Sequence, residues 1–192
     1  MIAKTGSTFI VILIATFAGV GSSKDPAFSS IYTDESACKG FDPCEEEGEP
    51  CGGDGYSECQ GPHGYFLYES YSAFSTMRDV QNRNIEHWQV QLSPTSGLQM
   101  QTYGQKTEWR LADGIPFAVI QRTRECDPDA PKNCLEFLLV RGLRGYESIL
   151  SDVDAKKADA NSSARSIANK TFLELYKTST SRSKLPHPKA AK

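Results

Sequence analysis

"TEWRLADGIPFAVIQRTREC", residues 107–126, decides how this chain folds. Trp109 and Leu111 point to one side of an extended segment, Asp113-Gly114 is a dipeptide favoured in tight hairpin turns, and Pro116 to Arg122 resumes as an apolar, β-branched run. The continuation "DPDAPKNCLEFLLV", residues 127–140, supplies a Pro- and Asp-rich link and another apolar run, Leu135 to Val140. Three consecutive strands with short links make an antiparallel meander. On the first of them, Trp109 reads as a core residue and Arg110 as its solvent-facing neighbour.

Downstream the period changes. In "SDVDAKKADANSSARSIANKTFLELYK", residues 151–177, Ala164, Ile167, Ala168, Thr171 and Leu175 recur at helical spacing, and Ser162 or Ser163 is placed to cap the start. The expected class is therefore α+β: an antiparallel meander sheet with one C-terminal helix packed on it. The closing residues, "TSTSRSKLPHPKAAK" (178–192), lack any periodicity and read as a disordered basic tail. Upstream, the Gly61-Pro62-His63-Gly64 turn starts a strand in which Tyr65, Leu67, Glu69, Tyr71 and Ala73 alternate with Phe66, Tyr68, Ser70 and Ser72. The aromatic series there reads mostly as core. Residues 81–97 are compatible with a short strand or with an irregular connection.

At the amino end, one lysine precedes a twelve-residue apolar run from Phe9 to Val20, followed by Gly21, Ser22 and Ser23. That is the pattern of a secretory signal peptide, and the run falls short of the roughly 20 residues that a membrane-spanning helix needs. The organisation expected is a signal peptide over 1–22, a single domain over 23–177 and the tail over 178–192. No transmembrane segment is expected after cleavage.

Export into an oxidising compartment gives the six cysteines their simplest role. Cys126 and Cys134 sit at the inner ends of two strands joined by a short link, so their sulfurs face one another. In the acidic stretch "CKGFDPCEEEGEPCGGDGYSEC", residues 38–59, Cys44 and Cys51 flank the turn-rich EEEGEP, which nests Cys44–Cys51 inside Cys38–Cys59. The spacing lacks the short Cys-x₂₋₄-Cys knuckles of a zinc site, the alternation of a calcium-binding EF-hand loop and the Cys-x-x-Cys of a thiol oxidoreductase. No metal or other cofactor is expected. The segment is stapled because it holds too little apolar surface to collapse by burial.

The run Tyr103-Gly104, Trp109-Arg110, Gly114, Pro116-Phe117-Ala118, Ile120 and Arg122, then Val140, Val153-Asp154-Ala155, Ala160-Asn161, Ala164-Arg165 and Ile167-Ala168, resembles a group of small exported bacterial proteins of unassigned function. They occur mainly among alphaproteobacteria. The similarity runs from about Tyr32 to Asn169, with Cys38 and Cys59 matching a cysteine pair near its start. Cys44, Cys51, Cys126, Cys134 and the basic tail depart from that pattern. The resemblance implies a periplasmic or secreted location and brings no catalytic residues.

The formal net charge of −3 is small but unevenly spread, with seven acids and no base between Asp42 and Glu58, and five bases and no acid from Lys177 onward. The three histidines, His63, His87 and His187, lie in a turn, a polar stretch and the tail. No Gly-x-Ser-x-Gly elbow or phosphate-cradling glycine loop accompanies them. Five scattered bases are too few and too dispersed to indicate nucleic-acid binding. Asn161-Ser-Ser and Asn169-Lys-Thr fit the acceptor pattern for N-glycosylation. The expectation is an exported, non-enzymatic protein that binds another macromolecule, a protein or envelope partner. The alternatives are a small secreted hydrolase and a structural envelope component retained through the tail.

Overall fold

The computed structural model describes residues 25–41, 55–71, 76–94 and 100–181. The strands are, in chain order, β1 (Phe28–Asp34), β2 (Lys39–Phe41), β3 (Gly55–Gln60), β4 (Tyr65–Tyr71), β5 (Thr76–Asn82), β6 (Gln89–Gln91), β7 (Met100–Ala112), β8 (Ile115–Asp127), β9 (Ala130–Gly142) and β10 (Leu150–Asp154), followed by helix α1 (Ala160–Ser181). They form two antiparallel sheets, one ordered β1-β7-β8-β9-β10 and the other β2-β3-β4-β5-β6. The α+β class, the meander and the C-terminal helix packed on it all stand in the structure. The proposed signal peptide and the Cys44–Cys51 pair lie outside the described residues.

The meander is β7, β8 and β9. Asp113 and Gly114 turn β7 into β8 with φ of 49° and 81°, the left-handed pair that a two-residue hairpin of matching twist requires. Each of these strands is 13 residues long. Leu138 and Val140 of β9 point to one side and Leu139 to the other, and all three are buried. An apolar run on a central strand has that form because both faces of its sheet are covered.

One face is covered by α1. Ala160, Ala164 and Ala168, spaced one turn apart, bring the helix close to the sheet, and Phe172 then fills the space against Phe117 and Phe28, with ring centroids 4.5 Å and 5.7 Å away. The helix begins at Ala160, four residues ahead of the first periodic alanine. Asp159, rather than Ser162 or Ser163, stands at its start: its carbonyl accepts from the Ser163 amide and the Ser162 hydroxyl, and its carboxylate from the Ser163 hydroxyl. The helix continues to Ser181, so the first four residues of the segment read as tail belong to it.

The opposite face is covered by the second sheet. Trp109, Leu111, Val119, Leu139 and Leu143 pack there against Cys59, Tyr65, Leu67, Val80 and Leu92. The result is three layers: helix, long sheet, short sheet. Of the ambiguous stretch 81–97, residues 81–94 are described and hold the end of β5, a turn and β6 at the edge of the second sheet. Trp109 has no exposed surface, and its indole Nε1 donates to Thr33 Oγ1 at 2.9 Å while Thr33 donates to the Gln60 carbonyl, also at 2.9 Å. A polar tip satisfied in this way lets the large ring lie wholly inside. Gly61 is required beside it, since a Cβ there would come within 2.5 Å of the Trp109 ring.

Two disulfides are present among the described residues. Cys126 and Cys134 are direct cross-strand partners on β8 and β9, and Cys38–Cys59 ties the chain leaving β1 to β3.

A buried arginine joins the two sheets. Arg78 of β5, 2% exposed, sends Nε to Glu69 at 2.7 Å, Nη2 to Glu35 at 2.9 Å and Nη1 to Gln121 of β8 at 3.1 Å, and its guanidinium lies 4.6 Å over the Tyr103 ring. β7 bulges between Tyr103 and Thr107, where three residues of β7 face Arg122 alone on β8. The bulged Gly104 carbonyl accepts from Gln121 Nε2 at 2.9 Å, and Thr107 donates to Gln121 Oε1. Removing one partner of a buried charge network costs about 3 kcal/mol because the remaining carboxylates lose their counter-charge. Arg78→Met is therefore expected to lower unfolding free energy by about that amount in urea denaturation. Gly61→Ala, which overpacks the tryptophan, should cost about 1–3 kcal/mol in the same measurement.

Candidate functional site

Helix α1 lies over β8, β9 and β10, and its rim reaches the same face of β7 and β1 through Asn169, Arg165 and Phe172. Between the helix and the edge strand lies a groove of about 780 Å³. Phe28 and Leu173 contribute its apolar walls, while Arg110, Arg165, Lys170 and Lys177 bring cationic groups to it and Glu174 one carboxylate. A second cavity, of about 280 Å³, lies between β6 and β10 beside Arg141. That guanidinium is already occupied by Asp152 at 2.6 Å and by the Ser93 and Ser151 carbonyls at 2.6 and 2.9 Å.

Arg110 corrects the expectation drawn from sequence. It is 6% exposed rather than solvent-facing, because the face of β7 opposite Trp109 lies under the rim of α1. Strand alternation separates Arg110 from Trp109 as expected, but both sides of the sheet are covered. Its Nη2 donates to Asn169 Oδ1 of the helix at 2.8 Å, its Nη1 donates to Ser30 Oγ of β1, and Glu108 Oε1 stands 3.6 Å from Nη1. Its buried Nε has no hydrogen-bond partner among the described residues. Burial lowers the guanidinium below its ordinary value, against the Glu108 charge, which raises it.

Glu108 is the hub. Arg165 of α1 clasps it with two parallel bonds, Nε to Oε1 at 2.8 Å and Nη2 to Oε2 at 3.0 Å, and also reaches Tyr32 Oη at 3.0 Å. Ser30 donates to the same carboxylate while accepting from Arg110. Two guanidiniums therefore share one carboxylate, and with Lys170, Lys177 and Glu174 along the wall the groove keeps a surplus of positive charge. The Trp109-Arg110 and Ala164-Arg165 steps, 55 residues apart in the chain, each place a core residue next to an arginine that meets Glu108.

The histidines do not join this site. His63 lies exposed in the turn before β4 with φ of 54°, and His87 is exposed beside Glu86 at 3.1 Å. His187 lies outside the described residues. Asn161 is exposed, whereas the side chain of Asn169 is engaged by Arg110. Among the described residues, no group of three His, Cys, Asp or Glu side chains could hold a metal ion. Glu108, Arg110, Ser30 and Asn169 were invisible as a site because they come from three separate elements. The one available sign was a charged pair, Glu108 and Arg110, on either side of a core tryptophan within a strand.

No family model, curated protein or solved structure matches this chain.

Burial raises the Glu108 carboxyl, but bonds from Arg165 and Ser30 and the Arg165 and Arg110 charges outweigh it and hold the group below its ordinary 4.5. A folded value below the unfolded one means that its contribution is complete above about pH 4.5 and lost as pH falls through the lower folded value. Denaturant midpoints followed from neutral pH into that acid range should therefore fall for the wild type and fall less for Glu108→Gln, which starts lower at neutral pH.

Proposed function

We propose that this is an exported, non-enzymatic binding protein whose helix groove receives an acidic segment of another macromolecule in the periplasm or outside the cell. The observation that carries this reading is the sharing of Glu108 by Arg110 and Arg165. One carboxylate balances one guanidinium, and the second positive charge is held at the floor of an open groove with lysines on its wall. A carboxylate-bearing ligand supplies the missing counter-charge, and Phe28 and Leu173 give its apolar side chains a surface to cover. Reading residues 1–22 as a signal peptide supports export, and the resemblance to small exported proteins agrees with it. Two disulfides are compatible with an oxidising compartment, and no helix among the described residues is long and apolar enough to cross a membrane.

The groove is tested with a fluorescent peptide of alternating Glu and Leu, titrated with the protein lacking residues 1–22 and followed by anisotropy. Binding should tighten as salt is lowered. Lys170→Glu, an exposed change that leaves the core intact, should weaken it about tenfold, equivalent to roughly 1.4 kcal/mol. A peptide that does not bind at low salt, or binds Lys170→Glu equally well, overturns the reading.

A further inference from the structure

Among the described residues four strands stand at sheet edges, β2 and β6 in the short sheet and β1 and β10 in the long one. β2 and β6 have three residues, β10 five and β1 seven. β1, "FSSIYTD", also lacks the devices that blunt an edge: it has no proline or lysine, its seven pairs with β7 run without a bulge, and its one charge, Asp34, stands at its end 3.9 Å from Lys106. The chain enters this strand beside the hairpin turn, where the Asp113 amide donates to the Ala27 carbonyl and the Ala27 amide to Asp113 Oδ1, both at 2.9 Å. Antiparallel bonding uses every second residue. From Ala27 onward, therefore, Ser29, Ile31 and Thr33 turn their N–H and C=O groups to β7, and those of Phe28, Ser30 and Tyr32 point out of the sheet. The edge is accessible, with Tyr32 55% exposed and Ile31 43%.

The two faces beside this edge differ. Ser30 and Tyr32 pair with Arg110 and Glu108 and share their face, the groove side, where Arg165 reaches across to Tyr32 Oη at 3.0 Å. A guanidinium therefore stands at the free edge, with Lys170 farther along the groove. Ile31 pairs with Trp109 and offers its exposed apolar surface on the other face. A strand laid alongside β1, about 4.8 Å farther out, presents its alternate side chains to these two faces. Acids at one parity meet Arg165 and the groove, and apolar residues at the other cover Ile31. A helical ligand makes no use of the outward amides and carbonyls. We propose that the acidic partner segment binds by strand addition: an extended stretch that alternates acidic and apolar residues continues the long sheet at β1, its backbone bonded to Phe28, Ser30 and Tyr32. This rests on the reading of the groove as the acceptor of an acidic segment, and it specifies the conformation in which that segment is held.

Two N-methylated versions of the Glu-Leu peptide test the mode of binding, one methylated at every Glu amide and the other at every Leu amide, each titrated by anisotropy with the protein lacking residues 1–22. In a strand added antiparallel to β1 the Glu amides face the edge, and in a parallel one the Leu amides do. One methylated peptide should therefore bind about tenfold more weakly than the parent, through the loss of several backbone bonds, and the other should bind like the parent. Tyr32→Pro removes one outward N–H on an edge strand, where proline is tolerated, and should weaken the parent peptide several-fold more than Tyr32→Ala, which keeps that group. The peptides read the mode on the unaltered domain and decide the matter should the proline variant fail to fold. Equal affinity of the parent and both methylated peptides means side-chain contact alone, and equal loss in both means a helical ligand; either result overturns the proposal and leaves the acidic-segment reading intact. A parent peptide that does not bind overturns that underlying reading and the proposal with it. A dimer of the protein in sedimentation that Tyr32→Pro dissociates gives the edge to a second copy of this chain and likewise overturns the proposal.

Discussion

The Arg78 guanidinium is the constraint on which the arrangement of layers depends. It projects from the short sheet into the bulge of the long one, and a full positive charge in that position is tolerable only with its partners in place. Glu69 comes from the neighbouring strand, Glu35 from the turn after β1 and Gln121 from the centre of the long sheet. The apolar contacts around Trp109 would allow the sheets to slide over one another with little loss. The network allows one register, because a shift of one residue would turn Arg78 outward and take its charge away from Glu35, Glu69 and Gln121.

The same logic holds on the other side of the long sheet. Small side chains bring α1 close over β8 to β10, and the helix is too narrow to cover a five-stranded sheet. The part of β7 under the rim of the helix carries Glu108 and Arg110, residues that could not face a dry helix interface without ionic partners. Ser30, Asn169 and Arg165 meet them, which makes the rim of the helix the place where apolar packing gives way to charge. A groove with surplus positive charge follows from how the layers fit, and it needs no irregular loop to form.

The short sheet differs from the long one in how it is held. Its strands are three to seven residues long and their outer face is polar. Burial reaches them mainly on the inner side, through Leu67, Val80, Tyr65 and the Trp109 ring, while on the outer side Phe66 lies beneath the Arg83 guanidinium. The Cys38–Cys59 disulfide and the Thr33 bridge between Trp109 and Gln60 add covalent and polar ties where apolar area is scarce.

Local sequence determined the hairpin at Asp113-Gly114, the pairing of Cys126 with Cys134, the long strands of the meander and the presence of a helix after them. Each depends on neighbours within about 25 residues, so turn chemistry and periodicity were enough to read them. Periodicity was less informative for β5 and β6, where polar residues alternate without an apolar contrast, and for the start of the helix, where Asp159 competes with two nearby serines. Only the tertiary structure decided that a second sheet covers the long one, that β1 pairs with a strand some 80 residues away, and that Arg110 is buried. Those outcomes depend on which faces become covered, and coverage comes from distant segments whose approach leaves no local periodic trace.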